Sequence, residues 1–398
     1  MANLNIFQQV FKISMASNLA RDITGPADTI QSKLQTMIDG ALAEIQPGGW
    51  QRSWGPVVWK DPSYLPFLPT VQANAWYVAY NPSATFSDGQ VYPTYVIAIA
   101  GTAGSMLGYD VVEEDLACGQ LIELESWATP PLSNLNKVPT SIENHPPTSG
   151  DPVLVSNGFG HAVFEIVNNA PPADPSNTQP LMLPEYLQAL SASQPTAKFV
   201  FTGHSLGGAL SPILAYALVN AGAIPSTSVY VYPTAGPTPG NMQFVNSFYN
   251  YFPSAPGVLT GYQNWNVNIA NVLDIVPCGY CMDQSYAPFI LHTVEDKFGP
   301  CNILSVASVV KLLEDRAQGM YYPLKFSTFQ SPIPMPSNPP SDTKKYLCDA
   351  LKQHISAYDL EILGIQPKDI CNEIPIEKAV KFPVVGTIAN HELNPAST

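Results

Sequence analysis

Residues 198–214, KFVFTGHSLGGALSPIL, set one serine, Ser205, between Gly203-His204 and Leu206-Gly207-Gly208, where one apolar run ends and another begins. A serine hydroxyl is a weak nucleophile until a neighbouring base takes its proton, and a turn of small residues is the device that presents it. Glycine at Gly203 and Gly207 avoids the clash a Cβ would create at a strained strand-to-helix apex. The same turn leaves the Leu206 N–H at a helix start, where it can face a developing oxyanion. The chemistry implied is acyl transfer through a covalent serine intermediate. Short matches of this kind also arise by chance, as a glycine-rich turn with an incidental serine, so the surroundings decide. Here a β-rich hexamer precedes the turn and an apolar helix-forming stretch follows it, which are the surroundings the pattern requires.

A serine nucleophile needs a histidine, and the histidine needs a carboxylate that fixes its tautomer. Asp274, in NVNIANVLDIVP, ends an apolar strand-like run, which places it on the same carboxyl edge as Ser205; its plain alternative is an aspartate capping a strand or loop. Asp283 and Asp296 end no comparable run. Downstream lie His292 in PFILHTVED, His354 in CDALKQHISAYDLEILG, and His391 close to the end of the sequence. On residue type the base stays open among these three. His204 reads as packing under the turn, and His161 and His145 as ordinary residues of a helix and a proline-rich loop.

Four apolar runs read as buried strands: 94–102, 198–203, 227–236 and 266–276. Helix-like stretches, FGHAVFEIVNNA, LPEYLQALSAS and GALSPILAYALVNAG, lie between them. Strands alternating with helices predict an α/β fold, a mostly parallel central sheet flanked by helices. The 40 prolines concentrate in 128–152, 170–184 and 331–342, which predicts loops or decorations there, because proline lacks the N–H that helices and ladders use. By length one or two domains are both open for the 398 residues, and no internal repeat or sharp change of composition marks a second one.

With 45% hydrophobic and 12% charged residues, the chain has the composition of a folded protein. Its formal net charge of -14 repels phosphate backbones and anionic membrane surfaces, so nucleic acid is excluded as a partner class. No apolar stretch is long enough to span a bilayer, and a soluble protein is expected. The opening MANLNIFQQVFKISMASNLARDITG lacks the basic start and continuous apolar core of a secretory signal and reads as a short amphipathic helix. Six cysteines permit disulfides without requiring them. Cys278-Gly279-Tyr280-Cys281 has neither further metal ligands nearby nor a thioredoxin-like setting, so local disulfides or inert thiols are expected, and no metal.

Taken in order, YVIAIAGT (95–102), VSNGFGHAVFEI (155–166), FTGHSLGGAL (201–210), YVYPTAGPTPGN (230–241) and NVLDIVP (271–277) resemble the class 3, fungal-type lipase family of α/β-hydrolases. The resemblance covers roughly residues 75–280, and Gly-His-Ser-Leu-Gly-Gly is its most specific part. It implies a single α/β-hydrolase domain over 1–398, with Ser205 as nucleophile, Asp274 as acid, and Thr102 joining Leu206 in the oxyanion hole. The order serine, aspartate, histidine is the α/β-hydrolase order. His354, followed by Tyr358, resembles the histidine and aromatic pattern near the family's carboxyl terminus and is selected as base over His292 and His391. A lid is implied over 103–150, with Met106, Leu107, Leu121, Ile122 and Trp127 as apolar contacts, and an insertion occupies 278–345, between acid and histidine. Where the family commonly has Gly-Ser-Pro-Arg, this chain has TAGPTPGN without the arginine.

The activity implied is that of a triacylglycerol lipase acting on acylglycerol esters, working without cofactor, at an oil–water interface. A carboxylesterase of short acyl, phospholipid or feruloyl-type esters is the nearest alternative, and a non-catalytic lipid carrier the more distant one. The family resemblance leaves an extracellular location open, and the residues do not fix an oligomeric state.

Overall fold

The computed structural model describes residues 3–60, 72–102, 117–173, 179–254, 261–300, 303–367 and 370–373. Its centre is a seven-stranded sheet, β1 (Gln51–Trp59), β2 (Asn74–Thr85), β3 (Val91–Ile99), β7 (Lys198–His204), β8 (Val229–Thr234), β9 (Asn268–Asn271) and β10 (Phe326–Phe329), in the order β1-β2-β3-β7-β8-β9-β10. The strands from β3 to β10 run parallel, and β1 and β2 add an antiparallel edge. β4 (Gln120–Glu123), β5 (Ser141–Glu143) and β6 (Leu154–Ser156) form a small separate sheet.

All four strands expected from the apolar runs are present. β1, β2 and β10 were not anticipated. β2 is antiparallel yet buried on both faces, with Trp76 and Val78 in one apolar core and Ala75, Tyr77 and Ala79 in the other, so it lacks the polar alternation that marks an antiparallel strand. β9 is shorter than the run 266–276 suggested, because the chain leaves the ladder after Asn271 and turns. Asp274 therefore sits three residues beyond the strand, in the turn.

Helices cover both faces. The first core packs helices Asn157–Asn168 and Leu206–Asn220 on the sheet, and the second packs helices Ile6–Ala16 and Ala27–Ala43, the former matching the amphipathic helix expected at the start of the sequence. Among the expected lid contacts, Leu121 and Ile122 are wholly buried and Trp127 nearly so, all within the first core. Ile122 lies directly against Gly160, where a Cβ would collide with it. Met106 and Leu107 lie outside the described residues, as does the rest of 103–116.

Between Cys278 and Asp342 the chain does more than decorate. It supplies β10 at the sheet edge and then, through Ser331 and Ile333, reaches Gln353 beside His354. Among the described cysteines, Cys348 and Cys371 form a disulfide, while Cys118, Cys278 and Cys281 are buried thiols. Burial pushes the Cys281 thiol up to about 11, and burial likewise raises that of Cys278, so both are inert at neutral pH. No group of metal-binding side chains occurs among the described residues, and none of their helices is long and apolar enough to cross a membrane.

Candidate active site

β7 runs into helix Leu206–Asn220 with no intervening loop, and the whole bend falls on Ser205, whose φ of 61° and ψ of −128° are costly for a residue with a Cβ. Three glycines make the bend passable. A Cβ on Gly203 would strike the Gly207 backbone, one on Gly207 would strike the Ile99 carbonyl, and one on Gly208 would come 2.7 Å from the Thr234 carbonyl. The turn is also tied to the sheet by Ser205 N–H, which donates to Thr234 O at 3.0 Å. Ser205 is half-buried, and its Oγ has no hydrogen-bond partner among the described residues. Leu206 is the first residue of the helix, so its N–H has no acceptor within the helix.

β3 lies beside β7 with Ile99 opposite Gly203, which carries Gly101 and Thr102 alongside the serine. A Cβ on Gly101 would sit 3.1 Å from Ser205 Cβ. Gly101 N–H donates to Asn18 Oδ1 at 2.8 Å, so a residue just past the first helix holds the strand end that carries half-buried Thr102. Nothing in the local sequence around Asn18 signals this contact, which spans 83 positions.

Asp274 and His354, 80 residues apart, meet in the interior: His354 Nδ1 lies 2.9 Å from Asp274 Oδ2, with the residues 3% and 0% exposed. The carboxylate accepts, so Nδ1 carries the proton and Nε2 is left bare as a base. Tyr358 O–H donates to the same Oδ2 at 2.9 Å, and Val276 N–H donates to Oδ1 at 3.0 Å, which together fix the carboxylate plane. Burial first, and the Asp274 charge second, push the Tyr358 phenol well above its usual range, so it stays a donor. Asn271 N–H donates back to the Tyr358 oxygen at 2.9 Å, and Asn271 Nδ2 donates to Gln353 at 2.9 Å, stitching the β9 end to the segment that bears the histidine.

His354 occupies a π-helical turn, Lys352–Ser356, between helices Thr343–Leu351 and Ala357–Leu363. Such widened turns recur where a helix must present a side chain that regular geometry would misplace. His204, next to Ser205 in the chain, has its ring 4.7 Å from that of His354 and lies 2.8 Å from the His354 carbonyl. The remaining candidates are elsewhere. His292 is exposed on a 3-10 turn, His391 lies outside the described residues, Asp283 caps its own turn at Ser285, and Asp296 is exposed.

Five parallel strands, a tight strand-to-helix turn bearing a serine, and an acid and histidine that follow it in the chain define the α/β-hydrolase fold. Residues 123–278 match the class 3 lipase family, and this segment holds both Ser205 and Asp274. Across nearly its whole length the chain is similar to the crystal structure of M37 lipase, with a TM-score of 0.66, 21% identity, and 94% of this chain and 95% of that one covered. The nonglycosylated LIP2 lipase of Yarrowia lipolytica aligns over 68% of this chain and 71% of its own, at 17% identity and a TM-score of 0.42. No curated protein sequence matches the chain.

Proposed function

We propose that the protein is a serine hydrolase of carboxylic esters, a triacylglycerol lipase in which Ser205, His354 and Asp274 act together. The observation that carries this reading is the buried His354–Asp274 pair at 2.9 Å, built beside a serine held at a strained, glycine-lined apex. A buried carboxylate bonded to Nδ1 of a histidine orients the imidazole and stabilises the imidazolium that forms when Nε2 takes a proton. The class 3 lipase match over 123–278 and the M37 lipase fold support the choice of ester substrates.

In the first step Ser205 Oγ attacks the ester carbonyl while His354 Nε2 takes its proton. The carbonyl oxygen becomes an oxyanion held by Leu206 N–H and by Thr102, each donor worth on the order of 3 kcal/mol. His354 then protonates the leaving alcohol, and the acyl group stays on Ser205. Water, deprotonated by His354, attacks the acyl carbonyl; the bond to Ser205 Oγ then breaks, His354 returns the proton to that oxygen, and the fatty acid leaves. Ser205 Oγ makes no hydrogen bond among the described residues, and a nucleophile–base bond of this kind tightens when substrate binds.

The test is hydrolysis of p-nitrophenyl esters from acetyl to palmitoyl and of emulsified triglyceride by the wild type, Ser205→Ala and His354→Ala. Turnover of long chains and emulsion by the wild type, with both variants folded and inactive, is the expected result. Turnover confined to short acyl groups moves the reading to a carboxylesterase. An active His354→Ala removes that residue as base, and a wild type inert on every ester favours a lipid carrier.

A further inference from the structure

His204 is a buried titratable side chain beside the site that the mechanism above leaves unused. Both of its ring nitrogens are occupied: Nδ1 lies 2.9 Å from Thr234 Oγ1 and Nε2 lies 2.8 Å from the main-chain oxygen of His354. A carbonyl can only accept, so Nε2 carries the proton, and in the neutral ring Nδ1 then accepts from the Thr234 hydroxyl. That hydroxyl also stands 3.4 Å from the Gly203 carbonyl, the longer and weaker of its two contacts. The ring is boxed in by Phe11 at 6.2 Å and Tyr358 at 5.1 Å between ring centres. Burial first, and the neighbouring His354 second, with a smaller contribution from Arg21, hold its pKa well below the imidazole range, so it stays neutral when His354 becomes charged.

The carbonyl that His204 binds lies inside the π-helical turn. There the wide loop is closed by Ala357 N–H donating to Lys352 O, and main-chain groups no longer follow the regular helical ladder. His354 is therefore held at two points, its ring by Asp274 and its main chain by His204. The second point matters for geometry because His204 is covalently joined to Ser205. The contact references the base to the nucleophile directly, across 150 positions of sequence, by a single hydrogen bond and a single peptide bond.

We infer that His204 is a positioning residue of the ester-hydrolysis site, which fixes the distance and angle between Ser205 and His354 by donating its Nε2–H to the His354 carbonyl. This inference rests on the functional reading above. It separates His204 from a residue that only fills space under the turn: what matters is a donor at the Nε2 position, and an apolar ring of the same size does not replace it.

The experiment compares His204→Phe, which keeps a ring and removes the donor, with His204→Gln, whose amide nitrogen reaches to about the Nε2 position, and with His204→Asn, which is too short. Activity on a soluble p-nitrophenyl ester is expressed per active site titrated with an organophosphonate, beside thermal melting of each variant. Expected are a loss of kcat on the order of 10²-fold in His204→Phe with KM within about twofold, since a small misplacement of reacting groups costs that much. His204→Gln is expected to recover most of the loss, and His204→Asn little of it. The acid limb of kcat/KM should stay where it is, because the Asp274 contact that sets the base is untouched, while the plateau drops.

Wild-type kcat in folded His204→Phe overturns the inference, as does a His204→Gln as impaired as His204→Phe at equal melting temperature. If His204→Phe does not fold, the contrast between Gln and Asn decides, and equal kcat in the two overturns it. A wild type inert on all esters takes the functional reading down together with this inference, whereas an active wild type beside a fully active His204→Phe defeats this inference alone.

Discussion

At the scale of single residues, the site is a set of side chains whose states are fixed by burial and by one or two partners each. His204 gives the clearest consequence for stability. Its folded pKa lies well below 6.5 because of burial and His354, whereas in the unfolded chain it titrates normally. Below pH about 6.5 the unfolded state binds a proton that the native state refuses, so the stability it contributes is present above that pH and is lost as pH falls toward the depressed folded value. The slope is about 1.4 kcal/mol per pH unit for one proton. Urea unfolding between pH 7 and pH 5 should show it, and His204→Gln, with nothing to titrate at that position, should make the dependence shallower, although half-buried His161, likewise lowered by burial, keeps part of it; equal slopes in the two proteins would discard this assignment. Ser205 and Asp274 stand out in the sequence at a glycine-flanked apex and at the end of an apolar run, whereas residue type left the base open among His292, His354 and His391 and the family resemblance alone pointed to His354. Asn18 and the role of His204 could not be read there, since each acts through one contact 83 or 150 positions away and has no local pattern.

At the scale of elements, the proposed base His354 is carried by a segment that follows the last strand of the sheet. Helix Thr343–Leu351, the π turn and helix Ala357–Leu363 lie after the last strand, and they are fastened by the Asn271–Gln353 bonds, by Tyr358, and by the Cys348–Cys371 disulfide. The disulfide links the first of these helices to the 3-10 turn Ile370–Glu373 and so closes a loop, with a sequence separation of 23, around His354. Closing a loop of that size removes unfolded-state freedom worth roughly 3 kcal/mol. Replacing Cys348 and Cys371 together by serine should lower the denaturant midpoint accordingly, and dithiothreitol should do the same to the wild type only. A double variant that melts with the wild type would show that the crosslink adds nothing. The elements around the serine were legible because helix and strand there are long, apolar and punctuated by glycine. β10 was hidden among proline-rich stretches of 278–345, β2 by burial on both faces, which erases the alternation that reveals an antiparallel edge, and β1 by register shifts around Trp54 and Val57 that break its period.

At the scale of the whole molecule, the excess of acidic residues sets which surfaces the protein can approach. With 31 Asp and Glu against 17 Lys and Arg, the field around the chain repels anionic interfaces, and it does so before any contact is made. Ester substrate presented in a neutral or zwitterionic emulsion should therefore be hydrolysed faster than the same ester in an emulsion carrying anionic lipid. The repulsion reaches about 30 Å at ~10 mM salt and only a few ångströms at ~1 M, so salt distinguishes it from a chemical preference. Initial rates on the two emulsions should differ several-fold at low salt and converge at high salt, while a soluble p-nitrophenyl ester shows no such dependence. If the anionic emulsion is hydrolysed as fast as the neutral one at low salt, the net charge does not govern approach, and a local surface less acidic than the whole must face the lipid. If the difference persists at high salt, the discrimination arises after docking, at the proposed ester site around Ser205, where Thr102 and Leu206 would hold the carbonyl.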